Sequence, residues 1–195
     1  FVLSCAALPA RAEDAGRPFA LDPQRAGSVI TAVRGSARYD IPVFAKLAPD
    51  VTDIVAVASA CVAAGADGLS LINTLLGMAI DPATMRPALA GTYGGLSGPA
   101  IRPVAVRCVW QVREAFPGVP IIGMGGVRTG RDALELLLAG ASMIAVGTEL
   151  MHDPSACSRV LRELDEVLAG LGVDRAADVI GEAHGRFPSG LVRRA

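Results

Sequence analysis

From residue 41 onward the chain repeats one unit: a short apolar run, a polar or glycine-rich turn, then a longer amphipathic stretch. That alternation reads as strand, helix, strand, helix, and few architectures accommodate it. The first run is Ile41 to Lys46. After Pro49-Asp50 a helix is expected over about Thr52 to Ala64, with Asp50 or Thr52 as its cap and Gly65 as a left-handed stop. The second run, Gly68 to Ile72, leads through Asn73-Thr74 into an excursion reaching Tyr93, too long for a simple turn and long enough for a hairpin. Gly94-Gly95-Leu96-Ser97-Gly98-Pro99 then opens a helix over roughly Ile101 to Phe116, with Pro103 in the first turn, where proline is tolerated. The third run, Val119 to Ile122, ends in Gly123-Met124-Gly125-Gly126 before a helix near Arg131 to Ala139, stopped by Gly140. The fourth, Ser142 to Val146, ends in Gly147-Thr148 before a last helix from about Pro154 to Ala169. Four strands that are nearly all apolar and separated by helices predict an α/β fold with a parallel sheet, either doubly wound or a (β/α)8 barrel.

Composition narrows the function. At 195 residues with 52% hydrophobic content, the chain can bury one sizeable core but not two. Its 18 basic and 19 acidic residues nearly cancel, and no Lys/Arg cluster with interleaved aromatics occurs, so nucleic acid is not an expected partner. Cys5, Cys61, Cys108 and Cys157 are scattered without close pairs, which argues against a zinc knuckle, an iron–sulfur motif or a redox pair and suggests a reducing compartment. His152 and His184 are far apart and read as solvated surface, so no metal site is expected. The most apolar stretch, Leu136 to Val146, is bounded by Glu135 and Glu149 and falls short of the roughly 20 residues a membrane helix needs. No basic-then-apolar leader opens the sequence. A cytoplasmic protein without a membrane anchor is the expectation, and the opening at Phe1 in place of Met suggests a fragment.

In parallel α/β folds the ligand lies at the C-terminal ends of the strands. Lys46, Asn73-Thr74, Gly125-Gly126 and Gly147-Thr148 each directly follow a strand. Two successive glycine-rich turns that open helices leave backbone N–H groups able to hold a phosphate, and a barrel commonly builds its phosphate site from its last two strand–helix loops. A phosphorylated ligand is therefore expected. Read singly, each feature has a plain structural alternative: turn chemistry for the glycines, a rim lysine for Lys46, a cap for Asn73-Thr74.

The combination carries more. Ala45-Lys46-Leu47-Ala48-Pro49-Asp50-Val51-Thr52-Asp53-Ile54, Ala64-Gly65-Ala66-Asp67-Gly68, Ile72-Asn73-Thr74, Gly94-Gly95-Leu96-Ser97-Gly98-Pro99-Ala100, Ile121-Ile122-Gly123-Met124-Gly125-Gly126-Val127 and Ala139-Gly140-Ala141-Ser142 leading to Gly147-Thr148 resemble the dihydroorotate dehydrogenases, the class 1B catalytic subunits most closely. The resemblance covers about residues 41 to 184, in order. It implies the C-terminal half of a (β/α)8 TIM barrel, with residues 1–184 a partial FMN-binding catalytic domain; residues 185–195, with Arg186, Arg193 and Arg194, read by their own composition as a disordered tail. It also implies oxidation of dihydroorotate to orotate in pyrimidine biosynthesis with FMN as cofactor, electrons passing to NAD through a separate subunit that carries FAD and an iron–sulfur cluster. A homo-oligomer is implied for the full-length protein. By the same resemblance Lys46 would lie beside the flavin pyrimidine edge, Ile72 against FMN and Gly98 along its site. Gly125, Gly126, Gly147 and Thr148 would hold the FMN phosphate, and Asn73 and Thr74 would bind the orotate ring.

In that family the class 1 base is the cysteine of an Asn-x-Ser-Cys-Pro-Asn motif. Here Val2-Leu3-Ser4-Cys5-Ala6-Ala7 keeps the serine and cysteine but neither asparagine nor the proline, and Phe19 through Asp22-Pro23 lies farther from Cys5 than the family spacing. Cys5 thus has two readings, a catalytic base or a small buried residue at a strand end. Half a barrel alone would expose sheet edges, so poor stability in isolation is expected. Two further readings are a flavin domain like that of dihydropyrimidine dehydrogenases and a non-catalytic barrel fragment.

Overall fold

The computed structural model describes residues 2–4 as backbone and residues 19–36 and 40–185 in full. Strand β1 is Val2–Ser4, helix α1 Pro23–Ser36, β2 Phe44–Leu47, α2 Ile54–Ala63 and β3 Gly68–Leu71. Four short strands follow: β4 Leu75–Gly77, β5 Ile80–Asp81, β6 Arg86–Pro87 and β7 Gly94–Leu96. The chain then forms α3 Arg102–Ala115, β8 Ile121–Met124, α4 Gly130–Leu138, β9 Met143–Ala145 and α5 Ala156–Gly170.

The main sheet has the order β1-β2-β3-β8-β9, and every neighbouring pair is parallel. Spatial order therefore follows chain order without reversal. A doubly wound sheet reverses its strand order partway, whereas the wall of a (β/α)8 barrel does not, and this resolves the two alternatives that the strand–helix alternation leaves open. The helices form the outer layer in the same succession, α1 on α2, α2 on α3, α3 on α4 and α4 on α5. Between the layers lies one core that includes Ile30 of α1, Val57 of α2, Val109 and Val112 of α3 and Leu136 of α4, packed on Ala45, Leu47, Leu69, Leu71 and Ile121. All four residues of β3 are buried, as a strand covered on both faces requires.

Local chemistry sets the boundaries. The cap of α2 is Asp53, not Asp50 or Thr52: its carboxylate accepts the N–H groups of Val55 and Ala56 at 2.9 and 3.1 Å. Asp50 instead accepts the Leu76 N–H at 3.0 Å and ties the loop after β2 to the excursion. That excursion is two nested antiparallel pairs, β4 with β7 and β5 with β6. Helix α4 begins in a capping box between Thr129 and Asp132. At its first residue, Gly130, an added Cβ would fall 2.2 Å from the backbone nitrogen of Leu164, so α5 can cross there only against a glycine. Asp67, just ahead of β3, accepts the Val43 N–H at 2.7 Å and pairs with Arg34 of α1, and these contacts, the Val43 N–H first, hold its carboxyl below the ordinary range. His184 departs from its reading as solvated surface. Its ring stacks on Trp110 with centroids 3.6 Å apart, and Nε2 donates to the Ala139 carbonyl at 3.1 Å. Cys5 and residues 186–195 of the expected tail lie outside the described residues.

Candidate active site at the strand ends

Each parallel strand delivers its last residues to the same rim. Strand β2 ends with Lys46-Leu47, and β3 runs through a cis Leu71–Ile72 peptide into Asn73-Thr74. Strand β8 ends at Met124 before Gly125-Gly126, and β9 ends at Ala145 before Val146-Gly147-Thr148. Ser97-Gly98-Pro99 arrives from the other direction, between β7 and α3. These segments enclose a cavity of about 580 Å³. Lys46, Ile72, Asn73, Thr74, Gly98, Gly125, Gly126, Gly147 and Thr148 all line it, so every site residue that the sequence suggests within the described part of the chain meets in one place.

Among the described residues, the polar side-chain groups at the β2–β3 end lack partners. Lys46 is half-buried, and among the described residues its ammonium has neither a carboxylate nor a hydrogen-bond acceptor. The Asn73 amide and the Thr74 hydroxyl are likewise unengaged among those residues, although the Asn73 backbone N–H is anchored on the Leu47 carbonyl at 2.9 Å. A cation, an amide and a hydroxyl turned into one cavity can hold a polar, ring-like ligand with negative charge at one edge.

The β8–β9 end is built from backbone. Gly126 has φ +77°, and an added Cβ would lie 2.8 Å from both the Arg102 Cβ and the Gly98 carbonyl oxygen. Only glycine lets the turn pass this close to the segment before α3. Above Gly147, by contrast, a Cβ would meet nothing within 4 Å, so the space over that turn stays open. Two glycine turns on neighbouring strands, Gly125-Gly126 directly after β8 and Gly147 at the start of the short 3-10 turn Thr148–Met151, make a cradle suited to a phosphate. Apolar walls come from Ile72, Ile101, Met124 and Val127. An elongated ligand with a flat polar ring at one end and a phosphate at the other, such as FMN, fits this distribution.

Sequence reasoning missed Ser97, Arg128, Glu149 and His152, which also line the cavity. Arg128 and Glu149 form an ion pair at 3.0 Å between the two glycine turns. Their places directly after Val127 and Thr148 were the available signal. Among the described residues there is no group of three or more His, Cys, Asp or Glu side chains arranged to hold a metal ion, and no helix is long and apolar enough to cross a membrane.

Comparisons with known proteins bear on the family and the fold. Residues 6–168 match the family model described as dihydroorotate dehydrogenase. The chain is 51% identical over 166 residues to a protein from Geobacter sp. (strain M21) named dihydroorotate dehydrogenase B (NAD(+)), catalytic subunit, an alignment covering 85% of this chain and 53% of that protein. A protein of the same name from Desulforudis audaxviator is 49% identical over 169 residues, covering 87% of this chain and 54% of the relative. Among solved structures, a dihydroorotate dehydrogenase from Eimeria tenella, crystallised with ferulenol, superposes with a TM-score of 0.75 at 27% identity, over 94% of this chain and 53% of that one. The chain thus spans about half the length of the curated relatives it matches.

Proposed function

The chain belongs to the dihydroorotate dehydrogenase family, and from that premise we propose that its cavity binds FMN and dihydroorotate and serves the oxidation of dihydroorotate to orotate. One observation carries the reading: nine residues drawn from separate strand ends converge on a single cavity whose two ends differ in chemistry as a flavin phosphate and a pyrimidine ring differ. FMN, when bound, would supply the redox chemistry as the hydride acceptor in the oxidation. The work of the chain itself is binding, orientation and charge. The turns Gly125-Gly126 and Gly147-Thr148, which line the cavity, would hold the phosphate, and Gly98 and Ile72 would border the flavin ring. Lys46 would set its ammonium against the negative charge that gathers on a reduced flavin, and it is available because no protein carboxylate claims it among the described residues. Asn73 and Thr74 orient the substrate ring through its amide-like groups. The proton on ring carbon 5 requires a base, the role that the family resemblance offers to Cys5.

The relatives' name, a catalytic subunit of a dihydroorotate dehydrogenase with NAD(+), supports a second chain that carries electrons onward to NAD. The test uses the chain as it stands. Incubated with FMN and freed of unbound flavin, it should retain yellow colour, and anaerobic addition of dihydroorotate should bleach it. A chain that stays colourless contradicts the cofactor site. One that binds FMN but is not bleached by dihydroorotate retains the cofactor reading and loses the activity.

A further inference from the structure

The β8–β9 end of the cavity holds a side-chain device that a backbone cradle alone does not need. Glu149, next to Thr148, is only 9% exposed and is bridged by two arginines: Oε2 accepts from Arg128 Nε at 3.0 Å, and Oε1 accepts from Arg159 Nη2 at 2.9 Å. The two arginines are not equivalent. Arg159 is fully committed, with Nε on Asp153 at 2.8 Å and Nη1 on both the Arg128 carbonyl at 2.9 Å and Glu163 at 3.2 Å. Arg128 lines the cavity, its side chain is 57% exposed, and among the described residues its guanidinium engages Glu149 through Nε alone. Its two Nη groups have no hydrogen-bond partner among the described residues.

A buried carboxylate beside a turn that takes a phosphate is unfavourable by itself, because like charges at short range in a low-dielectric site repel. Arg128 and Arg159 offset that charge, and because Arg159 is shared with Asp153 and Glu163, Arg128 is the cation that the network offers to the cavity. A guanidinium held by one edge on a carboxylate keeps a planar fork for phosphate oxygens, which is the geometry in which arginine binds phosphate most specifically. Arg128 follows the Gly125-Gly126 turn and Glu149 follows the Gly147-Thr148 turn, so the ion pair also spans the two halves of the cradle.

We propose that Arg128 is a selectivity residue for a phosphorylated ligand, aimed by Glu149, with Arg159 as the positioning residue that fixes and neutralises Glu149. This rests on the reading of the cavity as an FMN site and adds to it a side-chain preference for the phosphate over the same flavin without it.

The test compares FMN with riboflavin by quenching of flavin fluorescence at low and high salt, for the unmodified chain, Arg128→Met, Arg159→Met and the double variant Arg159→Met with Glu149→Gln. Arg128→Met should weaken FMN about tenfold, leave riboflavin unchanged and flatten the salt dependence of FMN binding. Arg159→Met should give the same selective loss, because Glu149 is then half-compensated, and Glu149→Gln in that background should recover most of it. Equal loss of both flavins in Arg128→Met, or loss of neither, overturns the proposal while leaving the FMN site standing. The same holds if the unmodified chain binds FMN and riboflavin equally. An unmodified chain that binds neither flavin overturns the FMN reading and this inference with it. Arg128 is largely exposed and its replacement leaves the core untouched, so Arg128→Met alone decides the proposal even where Arg159→Met fails to fold.

Discussion

At the β8–β9 end of the cavity the carboxylates are held within the protein, with Glu149 clasped by Arg128 and Arg159, Arg159 clasped in turn by Asp153 and Glu163, and Glu163 accepting the Gly130 N–H at 2.9 Å, so that within this network only the Nη groups of Arg128 stay uncommitted among the described residues. At the β2–β3 end Lys46, Asn73 and Thr74 are placed by their strands but, among the described residues, their side-chain groups have nothing to bind. The contrast separates anchoring from chemistry. A phosphate handle wants a rigid, prebuilt receptor, whereas groups that must answer to a reacting ring are left uncommitted until a ligand arrives.

The largest expected break in this comparison comes from the rigid end. Gly126→Val places a β-branched residue at φ +77° with its Cβ about to collide with Arg102 and the Gly98 carbonyl. FMN retention should be lost, with a stability cost of about 2–4 kcal/mol, read by flavin absorption and thermal unfolding. At the uncommitted end, Lys46→Met should slow dihydroorotate-dependent bleaching about a hundredfold while FMN affinity changes far less; single-turnover kinetics beside an FMN titration separate the two. Asn73→Ala should weaken dihydroorotate binding about tenfold and leave FMN affinity alone, and a matching loss of FMN affinity would blur the division between the ends. The smallest effect is acidic. Asp153 is held down to about 2 by the Ser155 hydroxyl and then by Arg159, against an ordinary value of 3.8. Because its folded value is the lower one, its contribution to stability is present above pH 4 or so and fades as pH falls towards 2. Asp153→Asn should make the thermal transition less pH-dependent across that window.

Much of the fold and of the cavity was legible in the chain itself. The strands announce themselves as apolar runs closed by glycine turns, and since strand ends in such folds share one rim, Lys46, Asn73, Gly125 and Thr148 could be assigned to a common cavity from order alone. Helix α1 was not legible. Its fully buried residues are only Ala26, Gly27 and Ile30, with Val29 and Val33 half-buried against the core, and Ser28, Thr31 and Gly35 between them make the apolar stripe weak. The cap of α2 was misplaced because Asp50, Thr52 and Asp53 are all competent cap residues, and only backbone geometry selects Asp53, whose φ of −133° is extended just before the first helical residue. The Glu149 network escaped for another reason. Its members, Arg128, Glu149 and Arg159, sit on three different segments, and only the stacking of α4 against α5 brings them together.

A crystal structure of the chain grown with FMN would show directly whether the two ends of the cavity divide the flavin between them. The phosphate should sit on the Gly125-Gly126 and Gly147-Thr148 turns within reach of Arg128, with the isoalloxazine extended towards Lys46 and Ile72. FMN bound in the opposite direction, or found away from this cavity, would contradict that division.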